Sequence, residues 1–300
     1  LKNTHGNYTM CTFYNQFSCK ANHCIHSCCA QDWDIEIDKQ TATRYLSLKT
    51  SLGNKIRQSM TYKDNSYCFI TQNSRCPFLS EKGLCEIITK ADDSLLCDVC
   101  AMHPRFFIYT QNFELAGLGL SCEKTVEMLL ADKKPLFFVT DYSKETASLS
   151  TLLHALGYGV SSKELVFSAQ IKTSYYERLL QRYAKTNPIN QEWIENIAFL
   201  QTKITVSESC VQTYLDAHSY DYSKFFQYIA YRVLDKVEPY GIAAVLQYAR
   251  ESVDFIILKS AFMQTFPDNV CMKAEQIEYD TENVDILLSG YTSYIPTVNI

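Results

Sequence analysis

From Cys122 onward apolar and polar positions recur with a helical period, whereas before Cys122 the pattern is short and often interrupted. In 222–237 the residues Phe225, Phe226, Ile229, Ala230, Val233, Leu234 and Val237 form one apolar stripe that Pro239-Tyr-Gly241 closes, as in a helix packed on a core. The same period predicts helices at about 123–132, 145–157, 162–185, 190–204, 208–217 and 241–265. Ahead of Cys122, the largely apolar run 106–120 predicts two short strands turning at Gln111-Asn112. Asp38 reads as the cap of a helix with Tyr45 and Leu48 on one face, 61–74 as polar turn, and 1–18 as a lead-in anchored by Phe13 and Phe17. The fold class that follows is mainly α, of the α+β kind: a cysteine-rich N-terminal half with short strands, then a helical C-terminal half. Pro135 lies in the best candidate boundary, so a cysteine-rich region over 1–125, a junction over 126–139 and a helical domain over 140–300 are expected.

Composition narrows the function class. Three hundred residues, 47% of them hydrophobic, can bury a sizeable core. A net charge of -5 without a basic cluster argues against nucleic acid or an anionic membrane as the main partner. No apolar run approaches the roughly 18 residues of a membrane span and the chain does not open like a signal peptide, so a cytoplasmic location is expected.

The thirteen cysteines change the picture most, because eleven of them stand at or before Cys122. An odd count, an ample core and few glycines and prolines do not suit a disulfide-stapled secreted domain. Cys19, Cys24, Cys28 and Cys29 fall in one short loop, near enough in sequence to aim several thiols at a common centre. A second group runs Cys76, Cys85, Cys97, Cys100 and Cys122, with Gly83 suggesting a turn that folds Cys85 back toward Cys76. Only Cys97-Asp-Val-Cys100 has the form of a zinc knuckle, so the irregular spacings favour an iron–sulfur centre over zinc. Buried inert thiols are the plain alternative. His23, His26 and His103 lie among the cysteines as further donors or as solvated loop residues. Gly117-Leu-Gly119 only faintly resembles a nucleotide-binding glycine loop. The 21 tyrosines suit core packing or an aromatic wall for a methylated cation.

Four motifs in order carry a family resemblance: Phe17-x-Cys19-x4-Cys24-x3-Cys28-Cys29-x3-Trp33-x4-Asp38; Cys76-Pro-Phe-Leu-x3-Gly-Leu-Cys85; Cys100-x2-His103-Pro-Arg105; and Leu120-Ser-Cys122. Over about 17–123 the chain resembles the flagellin lysine-N-methylases, within a wider group of iron- or zinc-chelating cysteine-rich proteins. The resemblance implies a methyltransferase that moves a methyl group from S-adenosylmethionine to flagellin lysines in the bacterial cytoplasm and carries an iron–sulfur cluster of the 4Fe–4S type, with zinc as the alternative. It implies as ligands Cys19, Cys24, Cys28, Cys29, Cys76, Cys85, Cys100 and Cys122, four to a cluster, and leaves Cys11, Cys68, Cys97, Cys210 and Cys271 outside. This sequence departs from the family at His103, where tyrosine is commoner, and at the additional Cys97. No catalytic base is singled out. The methyl donor is expected at the surface of the cysteine site, beside Trp33, Asp38 and Arg105; the bland roles for these three are loop packing, helix capping and holding a backbone carbonyl. The rival function classes are a non-catalytic iron–sulfur electron carrier and a metal-stabilised interaction module.

Overall fold

The computed structural model describes residues 8–30, 33, 35–73, 75–110, 113–140 and 145–291. The N-terminal half holds β1 (Thr9–Cys11), β2 (Ile35–Ile37), α1 (Lys39–Ser47), α2 (Ser51–Gln58), β3 (Met60–Lys63), β4 (Ser66–Phe69), α3 (Glu86–Lys90), α4 (Asp98–Met102), β5 (Arg105–Tyr109) and β6 (Glu114–Leu118). Then come α5 (Glu123–Ala131), β7 (Phe137–Thr140), β8 (Ala147–Ser148), α6 (Leu149–Ala155), α7 (Thr173–Tyr183), α8 (Gln191–Thr202), α9 (Ser207–Ala217) and α10 (Tyr222–Arg232). The chain closes with α11 (Val237–Tyr240), α12 (Ile242–Ser260), α13 (Phe266–Glu278) and α14 (Thr281–Ser289). Short-strand sheets in the first half and helices in the second are the fold class that the periodicity predicts.

Two sheets organise the first half. A five-stranded sheet has the order β5-β6-β1-β7-β8, with β1 parallel to β6 and its other pairs antiparallel. A three-stranded antiparallel sheet has the order β2-β4-β3 and, with α1 to α4, encloses a small core of its own around Tyr45, Ile56, Phe69 and Phe78. The larger core joins the five-stranded sheet to the helices. Tyrosine hydroxyls tie the two layers: Tyr228 on α10 donates to the Leu118 carbonyl (2.7 Å) and accepts from the Leu118 amide (2.9 Å), and the Tyr231 hydroxyl reaches the carbonyls of Thr9 and Ala116. Most of α12 is buried on all sides, as expected of a central helix. No helix among the described residues is long and apolar enough to cross a membrane.

Several expectations are corrected here. Residues 61–74 are not turn throughout: β3 and β4 form a hairpin whose corner, Asp64-Asn65, takes positive φ at both residues, 52° and 64°. The lead-in contains β1, and Cys11, outside the family-motif ligand set, is buried in the main core. The helix expected over 162–185 begins only at Thr173, because the preceding stretch is held by side chains instead: Ser223 Oγ takes the Phe167 amide and Asp254 takes the Gln170 amide. The predicted turn at Gln111-Asn112 lies outside the described residues, but the strands on either side of it pair as expected. The faint glycine loop is packing: a Cβ on Gly117 would stand 2.3 Å from the Phe106 ring, and one on Gly119 would stand 3.2 Å from the Pro104 carbonyl.

One buried cation makes the fold's stability depend on pH. Lys273 on α13 donates to the Tyr248 hydroxyl at 3.1 Å and lies over that ring. Burial pulls its pKa down to about 7, with Glu278 opposing and Arg232 adding to the shift. The unfolded chain therefore binds this proton more tightly, and the cost of burial is present in full below about pH 7 and fades as pH rises toward the unfolded value of about 10.4. Lys273→Met is expected to raise Tm most near neutral pH, with the gain shrinking toward pH ~10. Thermal melts of both proteins across that window check it; a gain independent of pH would mean the amine carries no such penalty.

Candidate metal centre

The loop from Phe17 to Ala30 consists of short 3-10 turns and is held by side-chain clamps. Lys20 pairs with both Glu123 and Glu127 at the start of α5. The Glu123 carboxylate also accepts the His26 amide at 2.7 Å, and the His26 ring meets Glu275 of α13 at 2.9 Å. Against the cost of burial, the His26 amide and the Lys20 ammonium hold the Glu123 carboxyl below its usual range. These clamps seat the loop against Cys122, which is the N-cap of α5.

Cys19, Cys24 and Cys28 share the neighbourhood of Cys122. Burial lifts the Cys24 thiol to about 11, with Glu123 adding, Lys20 opposing, and the Cys122 and Cys19 thiols adding further. Cys28 is raised first because it donates a hydrogen bond to Cys29 and then by burial, and it too feels Cys122 and Cys19. Burial also raises Cys122, against the amides and hydroxyl at the head of α5. Cys19 is exposed, so this group faces solvent on one side.

Cys29 faces the other way in its contacts. Its carbonyl accepts the Cys76 amide at 2.9 Å. The expected turn between Cys76 and Cys85 is present: Leu79 bridges Cys85, the Ser80 amide donates to the Leu84 carbonyl, and Gly83 has φ +72°. Cys85 is the N-cap of α3 and Cys97 that of α4, which also carries Cys100. Burial raises Cys76 to about 11, with the Phe78 amide opposing and Cys29, Cys85 and Cys97 adding. The hydrogen bond from Cys28 draws the Cys29 thiol down to about 7 against burial, helped by Arg75. Cys97 is lowered in the same way by Cys100, again against burial. The family resemblance leaves Cys97 outside the ligand set; the structure places it next to Cys100, whose amide donates to the Cys97 carbonyl at 3.0 Å.

The three residues expected to hold the methyl donor have defined places. Asp38 caps α1 through the Thr41 amide (2.8 Å) and accepts the Asp98 amide (3.0 Å) with its other oxygen, so it joins α1 to α4. Trp33 packs on the small core, its ring 5.8 Å from that of His103. The Arg105 guanidinium lies over Phe17 (5.4 Å) and Tyr14 (5.9 Å), at the foot of the cysteine loop. His103, three residues after Cys100, has a buried Nε2 with no hydrogen-bond partner, and burial pulls its pKa down to about 4, so the ring is neutral. His23 is exposed, and Cys271 is buried beneath the loop in the main core.

Among the described residues, no three His, Cys, Asp or Glu side chains are placed to hold one metal ion between them. A cubane cluster asks for a wider arrangement, because its irons and sulfides lie between cysteine sulfurs that a tetrahedral zinc would hold about 3.8 Å apart. The donor set suits such a group: the thiols are free of disulfides, and the orphan His103 nitrogen beside Cys100 is a ready partner for a cluster sulfur or a metal.

The lysine-N-methylase of Salmonella typhimurium strain LT2 is 26% identical over 225 residues, covering 65% of this chain and 54% of the relative. The lysine-N-methylase of Salmonella choleraesuis strain SC-B67 matches with the same identity and coverage. The flagellar biosynthetic protein FliU of Salmonella muenchen is 28% identical over 127 residues, covering 40% of this chain and 75% of FliU. The chain thus spans about half the length of the lysine-N-methylases it matches. No family model matches. No solved structure matches. These relatives bear out the resemblance to the flagellin lysine-N-methylases that the cysteine motifs carry.

Proposed function

From that likeness, we propose that the chain is a lysine N-methyltransferase that moves a methyl group from S-adenosylmethionine to flagellin, with an iron–sulfur centre on the cysteine loop. The observation that carries this reading is the pair of lysine-N-methylase relatives, together with the ordered cysteine motif. In the reaction the lysine nitrogen forms a bond to the methyl carbon as the sulfonium carbon–sulfur bond breaks, and the electron pair stays on sulfur. The amine must first lose its proton, since the ordinary lysine pKa is about 10.4. Cysteines of the motif would hold the centre, which when bound would supply a chelation point for the amino and carboxylate groups of the donor's methionine part. The chain's own residues position the rest: Arg105 pairs the donor carboxylate, Trp33 offers a face to adenine or the sulfonium, and Lys20 and Glu123 hold the loop in register with Cys122. Ile25, 94% exposed between Cys24 and His26, gives a protein substrate an apolar contact beside the centre.

The rival reading is a non-catalytic metal protein. A cleft of about 450 Å³ between α7 and α12, among Arg178, Arg182, Lys185 and Glu251, is the alternative place for the donor. Incubating the anaerobically purified protein with methyl-labelled S-adenosylmethionine and flagellin separates the two. Label in flagellin lysines is expected; none, with the centre intact, would overturn methyl transfer and leave the non-catalytic reading.

A further inference from the structure

We propose that the cleft between α7 and α12 is a docking site for an acidic segment of a partner protein, two of whose carboxylates pair with Arg178 and Lys185. That the partner is the protein substrate rests on the methyl-transfer reading; the chemistry of the segment rests on the cleft alone. At about 450 Å³ the cleft has the size of an ordinary binding site. Its floor is neutral in sum. Glu251 of α12, 6% exposed, pairs with Arg182 and accepts from the Gln247 amide (2.8 Å) and the Tyr291 hydroxyl (2.8 Å). Arg182 donates to that same hydroxyl at 2.9 Å, and its Nε is buried without a partner.

The rim is positive. Arg178 and, just past the end of α7, Lys185 line the cleft on either side of Arg182, and both are exposed. Among the described residues neither side chain has an ion-pair or hydrogen-bond partner. The whole chain carries a net charge of -5, so two unpaired cations on one cleft are a local exception. They stand seven residues apart, about 10 Å along a helix axis at about 1.5 Å per residue. That spacing suits two separate acids better than one small anion: carboxylates three residues apart on an extended chain, at about 3.3 Å per residue, match it. The half-buried Tyr175 ring, its hydroxyl held by Asp254 at 2.7 Å, gives the residues between them a wall to lie on. A sulfonium donor would meet like charge at this rim, so the cleft favours an acid over the methyl donor.

Fluorescence anisotropy of a rhodamine-labelled peptide carrying Asp-x-x-Asp, titrated with the full chain without methyl donor, tests the assignment. Binding to the wild type is expected, weakening as salt rises and absent for the Asn-x-x-Asn peptide. Arg178→Glu combined with Lys185→Glu should weaken it about tenfold or more, because like charges then face each other. Both positions are exposed, so the double variant is expected to keep its fold. Arg182 is the wrong residue to change, since its loss leaves Glu251 buried and uncompensated. Equal binding by the double variant, or none by the wild type, would overturn the site. Binding of pyrophosphate where the acidic peptide does not bind would also overturn it, in favour of a small-anion pocket. With no donor present, failure here leaves methyl transfer untouched, and absence of label in flagellin leaves this binding to be measured.

Discussion

Cys85→Ser is expected to unfold the small three-stranded unit, although serine is the better residue for its position. Cys85 is the N-cap of α3, and a serine hydroxyl caps a helix well, so on helix and volume grounds alone the change is neutral or stabilising. As a metal ligand the same cysteine is worth far more, because a structural centre contributes much of the folding free energy of a small unit. Loss of stability on the order of 5 kcal/mol or more is expected locally, enough to exhaust a small domain. Limited proteolysis within 35–103 and far-UV circular dichroism read the loss. Cys271→Ser, in the main core and outside the family-motif cysteines, is the control and should keep the metal and fold with only a packing penalty. Wild-type melting and metal content in Cys85→Ser would reduce Cys85 to a buried thiol.

Glu123→Ala is expected to cost bound metal and the activity together. Glu123 holds Lys20, the His26 amide and its own place beside Cys122, so its removal frees the loop that bears Cys19, Cys24 and Cys28. Partners that orient ligands without touching the metal typically contribute about 10–100-fold in affinity or activity. A drop of that size in methyl transfer is expected, with bound metal lost in proportion. Glu123→Gln, which keeps an acceptor for the His26 amide but not the charge for Lys20, should fall between. Lost activity with the metal fully retained would point to Glu123 acting on the substrate and not on the loop.

Local features of this fold were legible where a single residue decides them. Asp38 caps α1, Gly83 turns Cys85 back, and the strands β5 and β6 pair around their turn, each set by propensity over a few residues. Features decided by tertiary contact were not. β1 is three residues long and owes its place to the neighbours that pair with it on both sides. The helix α13 has no counterpart among the predicted helices; it starts behind a Thr265–Asp268 capping box, with Pro267 in the first turn where proline is tolerated. The cysteine motif marks the thiols in the sequence; where the loop that bears them lies in the fold depends on the Lys20, His26 and Cys76 contacts, which no spacing contains.

A crystal structure of the anaerobic, metal-loaded protein with S-adenosylhomocysteine tests the central claim most directly. The predicted result is the ligand at the cysteine loop, its methionine end within coordination reach of a cysteine-bound metal, with Arg105 on its carboxylate. Ligand density in the α7–α12 cleft around Arg178 and Arg182, or anywhere beyond about 8 Å from that metal, would contradict it and leave the cysteine centre a purely structural role.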